Sequence, residues 1–148
     1  KVDEAARARR ASGVKRGDRV GIWSPNRYEW TVTQFATAKV GAILVNINPA
    51  YGVHELQYAL NLAGITVLVT ADSFKASNYR EMIYELAPEL KRSAPGKLNA
   101  DHVPDLRAVI NLHEDTHDGL RPCRALPAFS PPLPPAHPAP PHHRRPRR

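Results

Sequence analysis

The sequence is poor in features that would assign a class of protein directly. It has a single cysteine, Cys123, among 148 residues, which excludes a disulfide framework and fits a reducing compartment. No apolar run approaches the roughly 20 residues that a membrane-spanning helix needs. The first residues, KVDEAARARRAS, are typical of a helix already under way, so we expect further residues before Lys1.

Acidic residues are absent from residues 119–148, which contain six arginines. Because the whole chain carries a charge of +7, residues 1–118 carry only +1. The positive charge therefore does not indicate a nucleic-acid-binding face on the fold. Most of the 15 prolines also lie after residue 118, where no helical or strand period is found. We predict that residues 119–148 form a disordered tail with local polyproline II character.

Residues 1–118 alternate short apolar runs with helical patterns. Strands are predicted at Arg19–Trp23, Ile43–Ile47, Thr66–Thr70 and within Asp105–Leu112. Helices are predicted at 1–12, at Arg27–Lys39, at Val53–Gly64, and from Asp72 or Ser73 to about Leu86. The strands are continuously apolar, which is typical of parallel sheets covered on both faces. The prediction is an α/β fold with a partial, mostly parallel sheet and flanking helices.

Residue spacing also predicts which faces are buried. Ile43–Ile47 is a β-branched run and is expected to be a buried central strand. In the helix of residues 27–39, apolar residues recurring at helical spacing are expected to face the core, with Trp30 off this stripe: Tyr28, Val32, Phe35 and Ala36. The aromatic residues Trp23, Tyr28, Trp30 and Phe35 are interpreted as core rather than as a fatty-acyl pocket.

The stretch VGAILVNINPAYG passes from an apolar strand into a polar loop. Ligands of open α/β sheets bind beyond the carboxyl ends of strands. The candidate binding residues in this loop are Asn46, Asn48, Pro49 and Tyr51. The alternative is a turn that only orients the next helix, because Pro49 is rigid and Gly52 permits a reversal. The loop has neither phosphate-binding glycines nor charge, so it cannot hold ATP by itself.

Three spaced segments, in order, resemble one known family. They are GDRVGIW followed by PN, then AKVGAILVNINPAY, then ELQYALNLAG leading into VLVT. They are similar to the N-terminal region of acyl-CoA synthetases of the adenylate-forming (AMP-binding) superfamily, and most like medium-chain fatty acid–CoA ligases. The resemblance covers Val2–Leu112. It implies that residues 1–118 are the N-terminal part of an AMP-binding domain.

The resemblance implies a parent enzyme that uses ATP, Mg and CoA. Such an enzyme makes an acyl-adenylate from a fatty acid and then an acyl-CoA, in the cytoplasm of a bacterium or the mitochondrial matrix of a eukaryote. The family's phosphate loop, similar to TSGTTGxPKG, has no counterpart in this sequence. We therefore expect no catalytic residue, no bound cofactor and no activity in this chain alone. The resemblance places Asn46, Asn48, Pro49 and Tyr51 near the channel through which CoA enters.

Two further motifs leave alternatives open. HEDTH, His113–His117, matches the H-E-x-x-H zinc signature, but that chemistry needs a helix, and a strand before it and a turn after it predict a loop. In the tail, RALPAFSP and PPLPP could bind an SH3 or WW domain. An alternative function is therefore a non-catalytic truncated protein whose tail binds a partner. A shifted reading frame or aberrant splice would also explain the composition of the tail.

Overall fold

A computed structural model describes residues 14–94, 96–113 and 117–122. The predicted helix at residues 1–12 and the predicted tail from Cys123 onward lie outside these ranges. Within them the strands are β1 (Arg19–Trp23), β2 (Ile43–Asn46), β3 (Val67–Thr70), β4 (Ser73–Phe74), β5 (Ser77–Asn78), β6 (Ala108–Asn111) and β7 (Leu120–Pro122). The helices are α1 (Tyr28–Val40), α2 (Val53–Ala63), α3 (Tyr79–Leu86) and a 3-10 helix (Pro88–Arg92).

Five strands form one parallel sheet in the order β2-β1-β3-β6-β7. The predicted α/β class with a mostly parallel sheet is confirmed, and so are the four predicted strands, as β1, β2, β3 and β6. β7 was not predicted. It pairs with β6 and lies past the boundary that the sequence placed after Asp118. Leu120 is only 4% exposed, so this part of the supposed tail has a core contact.

The sheet is covered on both faces. On one face, α2, α3 and the 3-10 helix pack through a core that includes Leu56, Ile83 and Leu90. On the other face, α1 packs through Ala36 against strand residues such as Ile22. We call the face covered by α2, α3 and the 3-10 helix the first face, and Gly21 of β1 points into its core. A Cβ there would come within 3.0 Å of Ile47 Cδ1, so only glycine fits without displacing a neighbour.

The position predicted for β2 is wrong. β2 is an edge strand, paired with β1 alone among the described residues, and is not a central strand. Ile43 is 51% exposed, and within the predicted run only Ile47 is buried. Its β-branched sequence fits a strand in either place, and the central place is taken by β3, whose four residues are all buried.

The buried face predicted for α1 is also wrong. Tyr28 and Phe35 are 71% and 70% exposed, whereas Trp30 is half-buried against the core. The buried residues of α1 are Thr33, Ala36 and Thr37. Threonine can lie inward here because each hydroxyl is satisfied within the helix: Thr33 donates to the carbonyl of Glu29 at 2.8 Å and Thr37 to that of Thr33 at 3.0 Å.

The two remaining helices were predicted with different success. α2 is confirmed, with Leu56 and Leu60 buried and Gly64 ending the helix at φ 59°. α3 begins later than predicted, because residues 73–78 form the antiparallel pair β4–β5. Its cap is Asn78, whose Oδ1 accepts from the amide of Glu81 at 3.2 Å, and not Asp72 or Ser73.

Candidate functional site

Polar side chains gather where β3 and β6 end, at the carboxyl edge of the sheet. Asp72 follows β3, Asn111 ends β6, His113 lies just beyond it, and Arg27 precedes α1. We call these four residues the carboxyl-edge cluster. Arg27 and His113 are 86 positions apart in sequence, yet parallel strands deliver them to the same edge. Ligands of open α/β sheets bind at this edge.

Asp72 is the centre of the carboxyl-edge cluster. Its Oδ1 accepts a hydrogen bond from Asn111 Nδ2 at 2.6 Å, and its Oδ2 lies 3.5 Å from His113 Nδ1. Arg27 Nη1 lies 3.2 Å from His113 Nε2. Because a guanidinium can only donate, Nε2 accepts and the proton of a neutral ring is on Nδ1, facing Asp72. These contacts hold the ends of β3 and β6 together.

The strand–helix loop (Asn46–Gly52) contains the four predicted binding residues. Asn46 is exposed at the end of β2. Asn48 closes the turn, since its Oδ1 accepts from the amide of Ala50 at 2.9 Å. Tyr51 is half-buried against the core. The structure therefore brings Asn48, Pro49 and Tyr51 together in one turn, with Asn46 at its start.

Two buried aromatic residues hold the backbone of the strand–helix loop. Trp23 Nε1 donates to the carbonyl of Asn48 at 3.1 Å, and the Tyr79 hydroxyl donates to the carbonyl of Pro49. The two rings stack with centroids 3.7 Å apart. Trp23 is a core residue, as predicted. Tyr79 was not singled out from the sequence, because nothing there links it to a loop 30 positions earlier.

Burial raises the pKa of Tyr79 to about 12. A phenolate would lose its hydration in the core, so the neutral phenol is favoured. At neutral pH the hydroxyl therefore keeps its proton and remains the donor that the Pro49 carbonyl requires.

A polar cleft of about 230 Å³ lies between the end of β3 and the start of α3. It is lined by Asp72, Ser73, Lys75, Ala76, Ser77, Asn78 and Arg80. Asp72 joins this cleft to the carboxyl-edge cluster, and Asn78 precedes Tyr79, which contacts the strand–helix loop. Its lining and small volume suit a polar group rather than an acyl chain. Polar residues directly after a buried strand were the signal that could have revealed it.

The family model of the AMP-binding enzyme matches residues 1–143. The chain belongs to the AMP-binding enzyme family. The match extends beyond the range Val2–Leu112 over which the sequence resembles that family. It confirms the resemblance inferred from the three segments.

Curated relatives of this chain include proteins named as medium-chain acyl-CoA ligases. The mitochondrial medium-chain acyl-CoA ligase ACSF2 of Danio rerio is 45% identical over 109 residues, which are 74% of this chain and 18% of the relative. The human ACSF2 is 41% identical over 111 residues, 75% of this chain and again 18% of the relative. YngI of Bacillus subtilis, named as a putative acyl-CoA synthetase, is 38% identical over 108 residues, 73% of this chain and 20% of the relative. The chain thus spans about a fifth of the length of these relatives.

Solved structures of adenylate-forming enzymes contain the same fold as this chain. Acetoacetyl-CoA synthetase from Streptomyces lividans matches with a TM-score of 0.64 and 28% identity, over 86% of this chain and 19% of that one. A fatty acyl CoA synthetase of Mycobacterium tuberculosis matches with a TM-score of 0.54 and 24% identity, over 74% of this chain and 19% of that one. Because the identity of the second match is only 24%, that match shows a shared fold and nothing more.

The strand–helix loop does not present converging amides to a phosphate, and no metal-ligand cluster is found among the described residues. In the strand–helix loop, the amides of Ala50 and Tyr51 both bond to Asn48, so they do not converge on a phosphate. In ranges 14–94, 96–113 and 117–122, no three His, Cys, Asp or Glu side chains are grouped as a metal site would require. His113 contacts Arg27 and Asp72, His117 contacts Arg80, and Glu114 lies outside the described residues.

Two other features bear on partners. Among the described helices, none has the length and apolar character needed to cross a membrane. The tail segments that could bind an SH3 or WW domain lie outside the described residues, and the relatives give that contact no support.

Proposed function

We propose that the chain is the N-terminal part of an ATP-dependent ligase that joins a medium-chain fatty acid to CoA. The observation that carries this proposal is the 45% identity with a protein named as a medium-chain acyl-CoA ligase. The intact enzyme converts the fatty acid and ATP to an acyl-adenylate with release of pyrophosphate. It then transfers the acyl group to the CoA thiol with release of AMP.

The 148-residue chain on its own is proposed to be inactive. Its parallel sheet supplies the carboxyl edge at which ligands bind, but the sequence has no glycine-rich loop and lysine to hold a triphosphate. We also propose that the AMP-binding part continues past Asp118, and the support for this is that β7 (Leu120–Pro122) pairs with β6. The AMP-binding part supplies a scaffold and the strand–helix loop, while the chemistry belongs to the rest of the enzyme.

The experiment compares the chain with a full-length chimera. In this chimera, the part of the Danio rerio ligase that matches the chain is replaced by the chain's own residues. With octanoate, ATP, Mg²⁺ and CoA, we expect octanoyl-CoA from the chimera and none from the 148-residue chain. Product from the chain alone would disprove its inactivity. An inactive but folded chimera would argue against the ligase assignment.

The strand–helix loop is proposed to contact CoA in the intact enzyme. Support comes from its place beyond β2 and from the two aromatic donors that fix its backbone. In the chimera, Asn48→Ala should raise the KM for CoA more than the KM for octanoate. Lys39→Ala, at an exposed end of α1, is the matched control and should change neither. Equal changes in both KM values would leave the loop with only its role as a turn.

In this proposal, the cellular compartment depends on whether the protein is bacterial or eukaryotic. The ACSF2 relatives are named as mitochondrial, which supports the matrix if the protein is eukaryotic. The Bacillus relative supports the cytoplasm if it is bacterial.

A further inference from the structure

The outward face of α1 carries large apolar side chains. Tyr28, Val32 and Phe35 are spaced i, i+4 and i+7, so they share one side of the helix. Tyr28 and Phe35 are 71% and 70% exposed. The fully buried residues of α1 are small, and two larger residues pack partly buried against the same core: Thr33, Ala36 and Thr37, with Trp30 and Val40.

α1 therefore differs from the usual amphipathic helix, whose apolar stripe faces the core and whose outer face is polar. The sheet does not need a large side chain from α1 at these positions, because the threonines bring the helix close and satisfy their own hydroxyls. Two exposed aromatic rings with a valine between them form an apolar patch, and such patches are typical of interaction surfaces. Packing within the described core does not account for these two exposed rings.

We propose that Tyr28, Val32 and Phe35 pack against the remainder of the AMP-binding enzyme, the part that its relatives have beyond this chain. The inference rests on the proposal that the chain is the N-terminal part of such an enzyme. The chain spans 18% of the ACSF2 ligase and 19% of the Streptomyces synthetase, so most of each protein lies outside it. A second apolar layer on the α1 side of the sheet is the simplest way to bury this patch.

The outer face of α2 is a less suitable docking surface. Tyr58 and Leu62 are 68% and 73% exposed there, but they share a groove with the polar residues His54 and Glu55. A charged carboxylate and an imidazole are costly to bury without partners. Leu62→Gln is therefore a matched control for an exposed apolar residue on the other side of the sheet.

The test compares the same substitutions in two proteins. Tyr28→Gln and Phe35→Gln are made in the 148-residue chain and in the full-length chimera, and the Tm of each is measured. We expect each substitution to lower the Tm of the chimera by about 2 °C or more. In the chain alone, the Tm should stay within about 1 °C, because the same side chains are in water there.

Three results would overturn the proposal. Equally small Tm changes in the chain and the chimera would mean that the face stays in solvent in both, and equally large changes would mean that the 148-residue chain already covers the face by itself. An equal loss for Leu62→Gln in the chimera would mean a general effect of exposed apolar residues. A dimer of the chain that Phe35→Gln dissociates, with no change in the chimera, would make the face a self-association surface.

The readout separates this inference from the proposed function. Tm does not depend on catalysis. If the chimera is inactive but its Tm is lowered only by the α1-face substitutions, the interface is supported and the ligase assignment is refuted. If the chimera is active but its Tm is unchanged by the α1-face substitutions, the ligase assignment is supported and the interface is refuted.

Discussion

Trp23 and Tyr79 stack face to face, with ring centroids 3.7 Å apart and an angle of 11° between the ring planes. One residue ends β1 and the other begins α3. The stack fixes both rings, and their polar atoms reach the carbonyls of Asn48 and Pro49. Aromatic residues with a polar atom commonly combine these two roles when buried. The conformation of the strand–helix loop is therefore set largely by the core beneath it.

Tyr79→Phe should weaken this connection while keeping the ring stack. The Pro49 carbonyl loses its hydroxyl donor in a part-buried place, so the free energy of unfolding should fall by about 1–2 kcal/mol. Urea unfolding measures the change, and hydrogen exchange at Tyr51 should become faster. Tyr58→Phe, on an exposed ring, is the control and should change stability by less than about 0.5 kcal/mol. Equal effects would show that the hydroxyl does not hold the loop.

Tyr79 should also make the fold sensitive to alkaline pH. Its pKa is raised by burial to about 12, whereas in the unfolded chain it is near 10. The stabilisation that comes from the neutral Tyr79 phenol is fully present below about pH 10 and is lost as the pH rises through about 12. Between these values only the unfolded chain releases the phenol proton readily, so the free energy of unfolding falls. Burial, and then Asp118, also raises the pKa of Tyr84, so Tyr84 contributes in the same direction.

The measurement is the urea midpoint as a function of pH. It should fall between about pH 10 and pH 12 in the unmodified chain, and fall less steeply in Tyr79→Phe, where the larger of the two contributions is gone. An unchanged slope in Tyr79→Phe would contradict the raised pKa of this residue.

The local elements were predictable because their signals are local. β-branched runs such as Val67–Thr70, separated by helical patterns and glycines, are sufficient to predict a parallel α/β sheet. The place of a strand in the sheet is not a local property. Ile43–Asn46 is apolar in sequence whether it lies at the edge or in the centre, and only the pairing of β3 with β1 decides that β2 is outside.

The site could be predicted only in part for the same reason. The strand–helix loop is continuous in sequence, so Asn46, Asn48, Pro49 and Tyr51 could be named together, and their contact with CoA stays a prediction. The carboxyl-edge cluster is assembled from separate strands, and Asn111 contacts Asp72 across 39 positions. The face predicted for α1 was wrong because periodicity predicts that residues share a side of the helix, and does not tell whether that side faces the core or faces outward.

Asp72→Ala should destabilise the carboxyl edge of the sheet. Asn111 is 1% exposed, and without Asp72 its amide loses the acceptor that lies 2.6 Å away. A buried donor left without a partner costs about 1–3 kcal/mol. Thermal unfolding monitors the loss, and the NMR signals of the His113 ring should shift because that ring faces the same carboxylate. Asp101→Ala, at an exposed position, is the control. Unchanged stability in Asp72→Ala would mean that the cluster does not hold these strands.

Gly119→Ala should be among the most damaging single substitutions in the described residues. Gly119 has φ 71°, and a Cβ there would lie 1.9 Å from the carbonyl oxygen of Leu90. Gly17 provides the control, since it has φ 84° but no atom within 4 Å of the place that a Cβ would take, so Gly17→Ala carries only the backbone strain of about 1 kcal/mol. Gly119→Ala carries that strain and must also displace a backbone carbonyl, so we expect a loss at least about 2 kcal/mol larger.

The same pair of variants tests whether β7 belongs to the fold. Leu120 follows Gly119 directly and enters the core of the sheet's first face. If Gly119→Ala forces the chain away from Leu90, hydrogen exchange at Leu120 and Arg121 should accelerate, while exchange in β1 and β3 should change little. Gly17→Ala should leave β7 protected. Equal urea midpoints for the two variants would show that residues 119–122 do not pack beneath the 3-10 helix, and would return the domain boundary to Asp118.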